Sequence, residues 1–476
     1  MKCFLSISLV MFLILFCSCT KTSSEQESTP MQKPNVLFIA VDDLNDWLGC
    51  YGGHPQAITP NIDQLAREGV LFSNAHCQSP ICQPSRSSLL SGIKPTSTGM
   101  QYFIPRNFKQ DDNFKNTVTL TEYFSQNGYH TMGVGKISHK GIPELYDEFG
   151  GHGSAGPRRD EKNKLSYPMG HPLWDWGAFP EHDNQLPDYK STMWAKDQLK
   201  RNFEKPFFLA VGFHRPHVPL YVPQKWFDMH PLEKIHLPYV YEDDLNDISE
   251  YALDLTYGSH APRNQWMVDN NERHHAVQSY LACVTFVDHY IGELLKSLKD
   301  SKYSGNTIIV LWSDHGFHLG EKHRWEKRTL WDESTRIPLI FAGPGIPKNE
   351  ICAQPVGLID LFPTLNDLCG LPSKDGLEGN SLSPLLKNPD MEWDRPAITS
   401  LGPDSHSVRT GEWRFTLYGD GSMELYNHLT DPNEWHNLAY LKEYSDVIED
   451  LKNYLPKYSK PLIEDSFDSG TLTLYN

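Results

Sequence analysis

The chain of 476 residues is short of several things, and each shortage removes a class of function. Positive charge is scarce: 43 Lys and Arg stand against 60 Asp and Glu, a formal charge of −17. That balance argues against nucleic acid as a partner, because phosphate binding needs a basic face. A positive pocket for an anionic substrate must then be local. The apolar run Cys3 to Cys17 is shorter than the roughly 20 residues of a membrane-spanning helix. Cysteine is sparse, nine in all, with no C-x-x-C spacing, so a zinc site is not expected. Three cysteines lie near the N-terminus and Cys82 is treated below, which leaves Cys50, Cys77, Cys283, Cys352 and Cys369. Five cannot all pair internally, and buried thiols or one or two disulfides are both open. No internal repeat is evident.

What is present begins with a leader. Met1-Lys2 followed by the apolar run reads as a secretory signal. Phe16-Cys17-Ser18-Cys19 resembles a bacterial lipoprotein box, which implies a lipid on Cys19 as the mature first residue. Thr20 to Lys33 is polar and reads as a flexible tether. The expectation is a bacterial envelope protein, in the periplasm or at the outer membrane, that meets the membrane only through its N-terminal lipid.

Asn35 to Val41 is a continuous apolar run of strand length, the pattern of a strand buried on both faces, and it ends in Asp42-Asp43. Thr59 to Gly69 then carries an N-cap, a first-turn proline, an amphipathic turn pattern and a terminal glycine. Further strands are expected at Val70 to Asn74, His130 to Val134, Phe207 to Phe213, Thr307 to Trp312 and Pro338 to Ala342. Helices are expected at Thr117 to Asn127, Thr192 to Phe203, Arg273 to Leu298 and Leu358 to Leu368. This alternation predicts an α/β domain, a large mostly parallel sheet with helices on both faces. Glu148 to Leu186 and Tyr221 to Trp266 lose periodicity and read as insertions near a substrate entrance. Beyond residue 390, four short runs between Ala397 and Tyr426 predict a small antiparallel meander, followed by a helix from about Tyr440 to Tyr454. The expected division is a leader over 1–19, a tether over 20–33, a catalytic domain over 34–390 and a C-terminal subdomain over 391–476.

In an open parallel sheet the ligand site lies beyond the carboxyl ends of the strands, where four charged segments fall. Asp42-Asp43 ends the first strand and Asp314-His315 follows the strand ending at Trp312-Ser313. Adjacent buried carboxylates repel unless a cation joins them, so two such pairs predict a hard-cation site. The segment Cys82-Gln83-Pro84-Ser85-Arg86, closed by Gly92, sets Cys82 at the positive end of a short helix with Arg86 one turn on. Lys136 and His139 follow the strand at His130, and His214-Arg215-Pro216-His217 follows the strand at Phe207. Lys327 closes a run in which Lys322 and Arg324 read as surface charges.

The Cys82 to Arg86 segment, with Ser88-Leu89-Leu90-Ser91-Gly92, resembles the signature of type I sulfatases, and Glu424 to Asn427 with Asp431 to Glu434 is similar to their C-terminal subdomain. The resemblance implies an alkaline phosphatase/sulfatase-like fold. It also implies that Cys82 is oxidised before folding to formylglycine by a maturation enzyme. Asp42, Asp43, residue 82, Asp314 and His315 would bind one divalent metal, with calcium favoured and magnesium second. By the same resemblance Arg86, Lys136 and Lys327 neutralise the sulfate, His217 with Lys327 protonates the leaving oxygen, and His139 regenerates the aldehyde by removing a proton. Gly49-Cys50-Tyr51-Gly52, the Lys136-x-x-His139 spacing, the His217 segment and Asp314-His315 are nearest the iduronate-2-sulfatase branch. That implies exo-removal of a 2-O-sulfate from a uronic acid of a sulfated oligosaccharide. Lys327, Arg215 or the Glu148 to Leu186 loop would meet the substrate carboxylate, and Tyr102, Trp174 and Trp176 either stack on sugars or pack the core. Other sulfated polysaccharides, algal ones included, and phosphodiester or phosphonate hydrolysis are the alternatives.

Overall fold

The computed structural model describes residues 33–160, 164, 174–257 and 261–467. The leader, the lipoprotein box and all of the tether except Lys33 lie outside the described residues, as does part of the first insertion. No helix among the described residues is long and apolar enough to cross a membrane.

The large sheet is built from β1 (Asn35–Asp42), β2 (Gly69–Phe72), β3 (His130–Gly135), β4 (Glu148–Phe149), β5 (Phe207–Pro216), β6 (Thr307–Ser313), β7 (Leu339–Ala342) and β8 (Glu350–Cys352), in the order β8-β2-β7-β6-β1-β5-β3-β4. β1 is central and parallel to both β5 and β6, while β7 runs antiparallel to β6 and β2. An apolar run has the same pattern in either direction, so this reversal has no sequence signal. β4 is a short edge strand inside what was expected to be a loop.

Every residue of β1 is buried, and alternation sends successive side chains to opposite faces. Val36, Phe38 and Ala40 pack with Leu89 and Leu90 of α2 (Cys82–Ser91), Phe124 of α3 (Leu120–Gln126) and Phe362 of α6 (Leu361–Leu368). Leu37, Ile39 and Val41 pack on the other side with Leu65 of α1 (Pro60–Arg67), Leu199 of α4 (Pro187–Leu199) and Val284 and Val287 of α5 (Arg273–Lys299). Truncating one such leucine to alanine costs about 2–5 kcal/mol. α3 starts later than expected because Thr119 and Glu122 form a capping box. α4 starts earlier, with Pro187 in its first turn.

A second sheet is the antiparallel meander β9 (Ala397–Ser400), β10 (His406–Arg409), β11 (Trp413–Leu417) and β12 (Met423–Asn427). One face presents Val408, Phe415 and Leu425 to Ile448 and Leu451 of α7 (Ser445–Lys452). Arg414 and Glu424, on the alternate positions, are buried against the segment after His315: Arg414 donates to the Leu330 carbonyl at 3.0 Å and the Trp331 indole donates to Glu424 at 2.7 Å. A polar sheet face therefore holds the loop that carries Lys327.

Candidate active site

β1, β6 and α2 bring the charged segments together. α2 is buried from Cys82 to Ser91 and stops at Gly92, whose positive φ of 72° suits glycine. Cys82 is 1% exposed and stands at the helix N-terminus. Ser85 donates to the Asp314 carbonyl at 2.6 Å, fixing α2 to the end of β6. Asp42, Asp43, Cys82 and His315 each offer one ligand atom, and these atoms lie within 4.8 Å of one another, all buried. Asp314 joins them at 3.5 Å from His315 Nε2. His315 Nδ1 faces the Gly316 carbonyl at 3.0 Å, which can only accept, so Nδ1 carries the proton and Nε2 keeps its lone pair toward Cys82 Sγ at 3.2 Å.

The donor set fits a hard divalent cation. Asp43 Oδ2 is buried with no hydrogen-bond partner, the kind of orphan acceptor a cation would satisfy. Asp43 also has a φ of 59°, a left-handed backbone that a residue other than glycine adopts only when its surroundings hold it there. The hold is visible: its N–H donates to Asp314 at 3.2 Å, and Tyr280 of α5 donates to its carbonyl at 2.8 Å. A second group, Asp332, His428 and Glu434, also gathers ligand atoms. Arg336, Arg409 and Arg414 pair with its carboxylates, so it is an ion-pair network.

Three cations face the carboxylates. Lys136 donates to Asp42, and Lys327 lies 2.6 Å from Asp43 and 3.4 Å from Cys82 Sγ. Arg86, fully buried, donates to Asp314 at 2.7 Å, to Asp42 at 3.3 Å and to the carbonyls of Lys136 and Ile137. Arg86 was expected to face the sulfate. It is instead a strut between α2, both carboxylates and the turn after β3. Burial alone would raise the Asp42 carboxyl, but Lys136, His217, Arg86 and Lys327 outweigh it and hold it well below the usual range. Burial raises Asp43, and Lys327 offsets this only in part. For Lys327 burial is outweighed by Asp43 and Cys82, so its ammonium is held above the ordinary lysine range.

Two histidines complete the cluster. His217 Nδ1 faces the Val218 carbonyl at 2.6 Å, which leaves Nε2 as the atom turned to the Cys82 thiol. Burial, then Lys327 and Lys136, bring its pKa down to about 4. His139 packs on Phe103 with ring centroids 4.8 Å apart, and its Nδ1 has no partner. Burial and then Lys136 hold it well below the ordinary imidazole range.

Other expectations are corrected, and for some the structure selects between alternatives the sequence left open. Lys322 and Arg324 are buried, not surface charges: Lys322 donates to Asp244 at 2.5 Å and to the Glu434 carbonyl, and Arg324 donates to Thr256 at 3.0 Å and lies 3.9 Å over the Tyr257 ring. Arg215 is not available to a substrate carboxylate, because its guanidinium donates to the carbonyls of Tyr221 at 2.7 Å and Ala155 at 3.0 Å. His214 is structural, held by its N–H on Asp188 at 2.7 Å. Trp176 is 2% exposed and donates to Glu272 at 2.8 Å, which makes it core. Trp174 packs on Phe317 at 6.2 Å. Cys50, Cys77, Cys82, Cys283, Cys352 and Cys369 are all free thiols, so no disulfide joins the described residues. Sequence reasoning missed Tyr280, Ser85, Asp188 and Phe103. Only Tyr280, a hydroxyl inside a long apolar helix, carried a signal.

A buried cysteine, carboxylates and lysines gathered beyond the strand ends of a mixed, mostly parallel sheet suit the hydrolysis of an anionic ester. The comparisons narrow this. A family profile described as Sulfatase matches residues 34–371, and one described as N-sulphoglucosamine sulphohydrolase, C-terminal, matches residues 320–461. A sulfatase of Formosa agariphila is 43% identical, covering 93% of this chain and 90% of its own. Iduronate 2-sulfatase of Homo sapiens is 33% identical, covering 92% and 97%. A solved structure of a 2-O GAG sulfatase is 26% identical with a TM-score of 0.69, covering 89% and 91%. The chain belongs to the sulfatase family and is a sulfuric ester hydrolase. That family is formylglycine-dependent and typically binds metal.

Proposed function

We propose that this sulfatase removes a 2-O-sulfate from a uronic acid at the end of a sulfated glycan chain, using a formylglycine made from Cys82. The observation that carries the reading is likeness over 92% of the chain to an iduronate 2-sulfatase and over 89% to a 2-O GAG sulfatase. Formylglycine at position 82 supplies a hydrated aldehyde oxygen as nucleophile, and a divalent cation, Ca²⁺ in preference to Mg²⁺, supplies the positive charge that attack on a sulfate monoester needs. Asp42, Asp43, Asp314 and His315 would hold that cation beside residue 82.

Lys136 and Lys327 neutralise the sulfate oxygens, an electrostatic effect strengthened by burial. Arg86 positions Asp42 and Asp314 and closes the turn that carries Lys136. The Lys327 ammonium supplies the proton and the neutral His217 relays it through Nε2 to the leaving sugar oxygen. His139, neutral at pH 7, accepts the proton whose removal restores residue 82. With Arg215 engaged by backbone carbonyls, Lys327 and the Glu148 to Leu186 loop remain as candidates for the substrate carboxylate.

Maturation of Cys82 calls for a formylglycine-generating or sulfatase-maturating enzyme as a transient partner. Residues 1–19 are read as a leader ending at a lipidated Cys19, residues 20–33 as its tether, 34–390 as the catalytic domain and 391–476 as the C-terminal subdomain. The protein is accordingly assigned to the bacterial envelope.

Sulfate release from a panel of oligosaccharides tests the specificity. The expected result is release from 2-O-sulfated uronates and not from 4-O- or 6-O-sulfated hexosamines. Release only from sulfated neutral algal sugars would replace the uronate with another glycan. Faster turnover of an aryl phosphate than of the matching aryl sulfate would overturn the sulfatase chemistry at this site.

A further inference from the structure

A cavity of about 260 Å³ lies at the far end of α2 from Cys82, where residues Lys94 to Ser97 meet the C-terminal sheet and the chain after α7. Lys94 follows the far end of the ten-residue α2, and Gln78, four residues before Cys82, reaches the cavity from the other side. Gln78, 4% exposed, lines the cavity, and its Oε1 has no hydrogen-bond partner. A buried amide oxygen left without a donor costs free energy unless a ligand or solvent meets it.

The rest of the lining has a consistent chemistry. Lys94 is half-buried; its backbone N–H donates to Glu378 at 2.6 Å, its charge acts on the buried Asp360 carboxyl, and its ammonium makes no hydrogen bond with the described residues. Tyr454 and Tyr458 flank the opening at 41% and 71% exposed, although exposed rings are ordinarily turned inward. Ser97 adds a hydroxyl. A lysine beside two exposed tyrosines, with a carboxylate and an amide able to take hydroxyl protons, matches a sugar ring that carries an anionic group. The volume lies just under the range of roughly 300–1,000 Å³ typical of small-ligand pockets, so the cavity takes one ring and not a chain segment.

We propose that this cavity is a second glycan-binding site, separate from the sulfate-cleaving centre, that captures one anionic sugar residue of a polysaccharide through Lys94, Glu378, Gln78 and the Tyr454 and Tyr458 rings. Its part is retention: it holds the polymer to the enzyme without taking part in the chemistry. The inference stands whichever linkage is cleaved, because the anion on the sugar, a sulfate ester or a carboxylate, is what Lys94 recognises.

Native affinity electrophoresis of the full chain tests it, in gels cast with carrageenan (sulfate only), hyaluronan (carboxylate only) or dextran (neutral), alongside turnover of 4-nitrophenyl sulfate. The wild type is expected to be retarded by at least one charged polymer and not by dextran, and the responsive polymer identifies the anion. Lys94→Gln and Tyr458→Ala should each weaken that retardation about tenfold, the scale of one lost charge-assisted contact. Both should turn over 4-nitrophenyl sulfate as the wild type does, which also shows that they fold. Wild-type mobility unchanged by both charged polymers, or retardation kept in both variants, would overturn the proposal. Because retention and sulfate release are read separately, this result does not depend on the 2-O assignment.

Discussion

The Lys327 ammonium lies 2.6 Å from the Asp43 carboxylate and 3.4 Å from Cys82 Sγ, so one side chain touches both the proposed cation-binding end and the proposed reacting end of the site. It arrives from a loop anchored by the polar face of the C-terminal sheet. Lys327→Met should lower kcat/KM for sulfate ester cleavage by about 10²–10³, the usual cost of removing one donor to developing charge. Lys327→Arg should not restore it, since the planar fork does not replace a compact ammonium. Steady-state sulfate release checks both.

Cys82→Ala should reduce activity by at least about 10³-fold, because it removes the precursor of the nucleophile. Its melting temperature should stay close to that of the wild type, as Sγ makes only contacts within the charged cluster. Normal turnover in this variant would end the formylglycine reading. Peptide mass across Cys82 gives the converted fraction independently.

Chelation should abolish activity, and added Ca²⁺ should restore it with Mg²⁺ less effective. A cation at a hundredfold excess over its Kd stabilises the fold by about 2.7 kcal/mol, visible in a melting curve. Asp42→Asn and Asp43→Asn should each remove that thermal shift together with the activity. A full shift in both variants would move the cation elsewhere.

Glu434 links the meander to the segment that carries Lys327. It accepts from the Asp332 N–H at 3.0 Å and from His428 at 2.8 Å, and it pairs with Arg414. Burial would raise its pKa, but Arg414 and His428 outweigh this and bring it down to about 2. A lowered carboxylate contributes stability that is complete above its unfolded pKa near 4.5 and lost as pH falls toward 2. Glu434→Gln should therefore melt earlier than the wild type at pH 7, by about 3–5 kcal/mol of stability for a broken buried pair. The gap should narrow steadily between pH 5 and pH 3, as melting temperatures against pH will register.

Much of this architecture was legible because its signals are local. The run Asn35 to Val41 is apolar at every position because both faces of β1 are covered, and Pro84 with Gly92 marked α2. Asp42-Asp43 and Asp314-His315 could be matched because each ends an apolar strand, and the structure brings both to Cys82. What was missed depends on distant partners. Lys322 has the composition of a surface residue, and only Asp244 and Glu434, 78 and 112 residues away, make its burial tolerable. Arg215 resembled a substrate cation until the carbonyls of Tyr221 and Ala155 claimed it. Strand direction in β7 and the grip of Tyr280 on Asp43 belong to the same class.

Residue 82 is 1% exposed, at the head of a helix with no residue on the surface. If Cys82 is converted as proposed, the processing enzyme has to act before the sheet closes over that thiol, and conversion and folding then compete for each nascent molecule. On that reading, a chain that folds first keeps the thiol of Cys82 and stays inert. The specific activity of a purified batch thus records which event came first in the cell that made it, and a low value points to the expression host before it points to the catalyst.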